Sequence, residues 1–102
     1  MIEFNGKSYV LKYNINRIEM IENATGKPIL AEFSQNRGML SISSLKSYFA
    51  YGLKEEGSDI FVATKKATEI AGQLIEAEGY AAVCGLVVEA IERDCPFFFQ
   101  GS

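Results

Sequence analysis

The chain has 102 residues, 48% apolar and 23% charged, the composition of a single globular domain with one core. Its net charge of -3 and its scattered Lys and Arg residues leave no basic patch for phosphates, which argues against DNA or RNA as a partner. No apolar run approaches the roughly 18 residues needed to cross a bilayer. The start Met1-Ile2-Glu3-Phe4-Asn5-Gly6 lacks the basic region and apolar core of a signal peptide, so a cytoplasmic protein without a membrane partner is expected.

Residues 2–13 read as a β-hairpin. Asn5-Gly6 suits a two-residue type I′ turn, in which both central residues need positive φ. That turn sets Phe4 opposite Lys7 and Ile2 opposite Tyr9. Ile2, Phe4, Tyr9, Leu11 and Tyr13 then line one face, and Glu3, Ser8, Val10 and Lys12 the other, mostly polar one. A lone hairpin is marginal in water, so its apolar face must lie on helices, while its two edges stay open to another subunit.

Asn14 or Asn16 caps a short helix with an Ile15, Ile18, Ile21 stripe, and Thr25-Gly26-Lys27-Pro28 stops it. Ile29, Leu30 and Phe33 suggest one or two further helical turns before a break at Gln35-Asn36-Arg37-Gly38. Ser41 or Ser43 caps a second clear helix, with Ile42, Leu45, Phe49 and Leu53 near helical spacing and Tyr48 and Gly52 beside them. The polar run from Lys54 to Asp59 reads as a solvated loop. A third long helix is predicted over 62–78, with Ala67, Ile70, Ala71, Leu74 and Ile75 on one face. Gly79 interrupts it. A fourth then presents Tyr80, Val83, Cys84, Val87, Val88 and Ile91 and stops at Asp94-Cys95-Pro96. The expected fold is therefore α+β, mainly α: an N-terminal β-hairpin on a compact bundle of about four helices. Residues 1–96 form the domain and 97–102 an apolar tail.

Reaction chemistry is scarce. With no histidine, the chain lacks the commonest general base and the commonest metal ligand. Two cysteines eleven positions apart do not make a zinc site, and in the cytosol both are expected as reduced thiols. The carboxylates fall on polar helix faces or in loops. Gly26-Lys27 is not a phosphate-binding loop, because Ile21 stands where that motif needs glycine and Pro28 where it needs Ser or Thr. The expectation is a non-catalytic protein with no cofactor and no metal.

What remains is surface. Three consecutive aromatics beyond a helix stop cannot all enter so small a core, so Phe97, Phe98 and Phe99 are candidate protein contacts, with Tyr51 as a fourth. One or two of the Phe rings folding back over the last helix is the competing expectation.

Two segments carry a resemblance. Asn16-Arg17-Ile18-Glu19-Met20-Ile21-Glu22-Asn23-Ala24-Thr25-Gly26-Lys27-Pro28 resembles the opening helix of small tail assembly chaperones of tailed phages and prophages. Ser41-Ile42-Ser43-Ser44-Leu45-Lys46-Ser47-Tyr48-Phe49-Ala50-Tyr51-Gly52-Leu53 is similar to a later helix of the same family. The resemblance implies a protein that coats the tape measure protein, self-associates as a homo-oligomer and leaves before the virion is complete. It also implies a second origin for Phe97, Phe98 and Phe99: a uridine-rich message on which ribosomes slip to make a longer form. A structural virion component, such as a tail completion or connector protein, is the alternative.

Overall fold

The computed structural model describes residues 2–35 and 40–98. Strands β1 (Ile2–Phe4) and β2 (Lys7–Leu11) form the hairpin. Asn5 and Gly6 both take positive φ, 49° and 78°, as a type I′ turn requires. The pairs are Ile2 with Tyr9, Glu3 with Ser8 and Phe4 with Lys7, the register set by the turn. Ile2, Tyr9, Leu11 and Tyr13 are buried, and Phe4 packs half-buried against the same core.

The hairpin does not keep both edges open. Strand β3 (Leu53–Glu55) pairs antiparallel with β2, matching Leu53 to Leu11 and Tyr9 to Glu55. Leu53 therefore leaves the helix that its spacing suggested, and the polar run after it begins as a strand. The physical reason is the outer side of β2, whose backbone groups need partners. Lys12 N–H donates to Gly52 O at 2.8 Å, and Glu56 N–H to Ser8 O at 2.9 Å. The partner comes from more than forty residues away, beyond the reach of any local pattern.

Among the described residues, five α-helices follow or flank the sheet. Helix α1 (Ile15–Thr25) is capped by Asn14, whose side chain accepts from Arg17 N–H, and ends on Gly26 in the left-handed conformation. Helix α2 (Ile29–Gln35) is the short helix expected after Pro28; the predicted break at 36–38 lies outside the described residues. Helix α3 (Ile42–Gly52) is capped by Ser41, which accepts from Ser44 N–H. Helices α4 (Thr64–Glu78) and α5 (Tyr80–Asp94) meet at Gly79, whose φ of 98° is strained for any side chain. A 3-10 turn, Pro96–Phe98, follows α5.

Helix α3 is the hub, packing against α1, α4, α5 and β2. It buries Leu45, Tyr48, Phe49 and Ala50 completely or nearly so. The apolar stripes hold in their middles and fail at their first residues. Ile15 and Ile42, each immediately after its cap, are exposed. Helical periodicity says which way a side chain points but not how far the neighbouring element extends. On α5, Val83, Val87, Ala90 and Ile91 are buried, while Tyr80, Cys84 and Val88 are half-buried at the margin. Cys84 and Cys95 remain separate thiols. Eleven residues of helix rise about 16 Å, far beyond the roughly 7 Å a disulfide spans. Among the described residues no helix is long and apolar enough to cross a membrane.

Candidate interaction surface

Tyr51, near the end of α3, is half-buried and packs against the core rather than standing free. Its phenol lies near the Arg17 guanidinium of α1. Arg17 in turn caps the ring of Phe61, its guanidinium carbon 3.6 Å from the ring centroid, and its Nη1 lies 3.5 Å from Met20 Sδ. Lys54 Nζ approaches the same ring at 5.4 Å. A partly exposed guanidinium over an aromatic face contributes about 0.5–1 kcal/mol. Burial lowers the Arg17 pKa, with Tyr51 acting against it, yet a guanidinium remains cationic at neutral pH.

Next to Phe61 sits Ile60, which is 77% exposed. Backbone bonds hold it there. Ile60 N–H donates to Ser58 Oγ at 3.1 Å, Phe61 bridges to Lys54, and Val62 N–H donates to Leu53 O at 2.9 Å. An isoleucine fixed outward between two anchored positions loses little entropy when a partner covers it. Met20, on α1 beside Arg17, is 44% exposed.

The C-terminal aromatics divide. Phe98 folds back onto the core, while Phe97 is 46% exposed, with ring centroids 4.8 Å apart. Phe99 lies outside the described residues. The turn is held by Phe98 N–H donating to Cys95 O at 3.2 Å and Cys95 N–H to Ile91 O at 2.8 Å. Thus Tyr51 joins Arg17 on one side, and Phe97 and Phe98 form a separate pair beyond α5. Ile60, Phe61, Arg17 and Met20 escaped the sequence reading. The usable signal was the apolar triplet Ile60-Phe61-Val62 between a polar loop and a helix start.

The buried polar groups are structural. Tyr13 OH donates to Tyr48 O at 2.7 Å, and Tyr48 OH donates to Glu32 Oε1 at 3.0 Å. Burial pushes both phenols well above the ordinary tyrosine range, so neither serves as a base near neutral pH. At the end of α5, Asp94 accepts from Tyr13 N–H at 2.9 Å and from Arg93 Nε and Nη2, each at 2.7 Å, while Arg93 Nη2 also donates to Leu11 O. Burial alone would raise the Asp94 carboxyl; the Arg93 and Tyr13 hydrogen bonds outweigh it and hold the carboxyl below its usual range. Among the described residues no three His, Cys, Asp or Glu side chains gather to hold a metal ion.

No protein-family model, curated protein or solved structure matches this chain.

Proposed function

We propose that this chain is a tail assembly chaperone of a tailed phage or prophage, which binds the tape measure protein and keeps it soluble in the host cytoplasm while the tail is built. The observation that carries the reading is the outward-fixed Ile60 beside Phe61, Arg17 and Met20. Two of these residues, Arg17 and Met20, belong to a segment that resembles the family's opening helix. Exposed apolar side chains with cations close by suit the amphipathic helices of a long client. Each contact is small, and many copies along one client, aided by self-association, would gain strength through avidity. The role needs no cofactor and no catalysis.

Co-expression with the tape measure protein encoded by the same genome tests it. The wild-type chain is expected to raise the client's soluble fraction and to co-purify with it. Ile60→Lys should abolish both while leaving the circular dichroism spectrum unchanged. Failure of the wild-type chain on both counts rejects the reading. A stoichiometric amount of this chain in mature particles, measured by mass spectrometry, would instead favour a tail completion or connector protein.

A further inference from the structure

The three-stranded sheet has order β1-β2-β3, so it has two outer edges. The β3 edge is covered, because Phe61 bridges to Lys54 and Val62 N–H bonds to Leu53 O. The β1 edge is not: among the described residues no backbone group from outside the hairpin bonds to Glu3. In a hairpin closed by a two-residue turn, the pair flanking the turn is hydrogen-bonded and the next pair points its N–H and C=O groups outward. Phe4 and Lys7 flank the turn; Glu3 and Ser8 are the next pair. Ser8 O accordingly accepts from Glu56 on the far side, so the Glu3 N–H and C=O face the open edge.

Beside that edge lies a groove of about 350 Å³ between β1 and the α4–α5 elbow, lined by Ile2, Glu3, Leu74, Glu78, Val83 and Leu86 among others. Its floor is apolar and its two charges are both carboxylates. We propose that this edge takes an extended segment of a partner protein by strand addition, with a Lys or Arg opposite Glu3 and apolar residues on either side of it. The alternation follows from the pleat. A residue opposite Glu3 shares the outer face with its carboxylate, and its two neighbours share the inner face with Ile2 and turn toward Leu74, Val83 and Leu86. A second copy of the chain fits poorly. Two β1 strands pairing about a two-fold axis through their outward-facing groups would set Glu3 against Glu3, like charges directly opposed. This edge is distinct from the surface around Ile60, and its use does not depend on the client proposed above.

The test is an NMR titration of the isotopically labelled full chain with an end-capped heptapeptide alternating valine and lysine. Saturable shifts at the Glu3 amide and the Leu86 methyls are expected, at least tenfold weaker for the valine–glutamate counterpart. Glu3→Lys, an exposed substitution that should leave the fold intact, should reverse that preference. Methylating the lysine-position amides of the peptide, which removes hydrogen bonds but not charge, should also abolish binding. Equal binding of the two peptides, no binding up to millimolar concentration, or shifts confined to Ile60 and Phe61 would overturn the proposal. So would concentration-dependent shifts at Glu3 without peptide, which would seat a second copy on the edge.

Discussion

Single residues carry more of this fold than their number suggests, and Gly52 is the clearest case. A Cβ built there would lie 2.6 Å from Tyr13 Cε1 and 2.7 Å from its hydroxyl oxygen. Tyr13 has little room to yield, since its hydroxyl donates to Tyr48 O and its N–H to Asp94. Gly52→Ala should therefore destabilise by about 1–3 kcal/mol through overpacking, read as a lower urea midpoint with unchanged slope. The matching loss for Tyr48→Phe is about 1–3 kcal/mol, because Glu32, 3% exposed, would lose its buried donor. A Tyr48→Phe variant as stable as wild type would remove the phenol from the list of structural determinants.

At the scale of elements, the caps make a controlled comparison. Asn14 and Ser41 each accept a backbone N–H three residues on, and each precedes an exposed isoleucine. Replacing either by Ala should cost about 1 kcal/mol, whereas Asn16→Ala and Ser43→Ala should change the denaturation midpoint little. The sequence left Asn14 or Asn16, and Ser41 or Ser43, open as the cap; both of these residue types cap well, and only the backbone geometry separates them. The α4–α5 junction differs in kind. Gly79→Ala must place a side chain at φ 98°, and a lower thermal midpoint is expected although nothing stands within 4 Å of the added methyl.

For the whole molecule, the decisive connection joins the two ends of the described chain. Asp94 binds Tyr13 N–H across 81 positions, and Arg93 reaches Leu11 O across 82. The folded Asp94 carboxyl titrates below its ordinary value of 3.8. Its contribution is thus fully present above that value and is lost as pH falls through the lower, folded pKa. Asp94→Asn should lower stability at pH 7, and the gap from wild type should narrow as pH drops below 3.8. A gap that stays constant between pH 7 and pH 2 would show that geometry alone, and not charge, matters at this position. The self-association in the proposed role belongs to the same scale: if it occurs, light scattering over a concentration series should show oligomers that Phe97→Ser or Ile60→Lys weakens.

The sequence by itself determined what depends on neighbours a few residues apart. Asn5-Gly6 dictated the hairpin and its register, Gly26-Lys27-Pro28 ended α1, and Gly79 divided α4 from α5, because φ preferences and capping act within one turn. It also raised the expectation that Phe97, Phe98 and Phe99 do not all enter the core, and Phe97 is exposed. Tertiary structure decided the rest. Leu53–Glu55 became a strand because β2 had unpaired groups to offer, and Ile15 and Ile42 stayed exposed because, among the described residues, no neighbouring element covers them. Arg17 came to lie over the Phe61 ring only when folding brought α1 beside the segment before α4. Such contacts arise between segments tens of residues apart, where the energy of a side chain depends on what the fold has set against it.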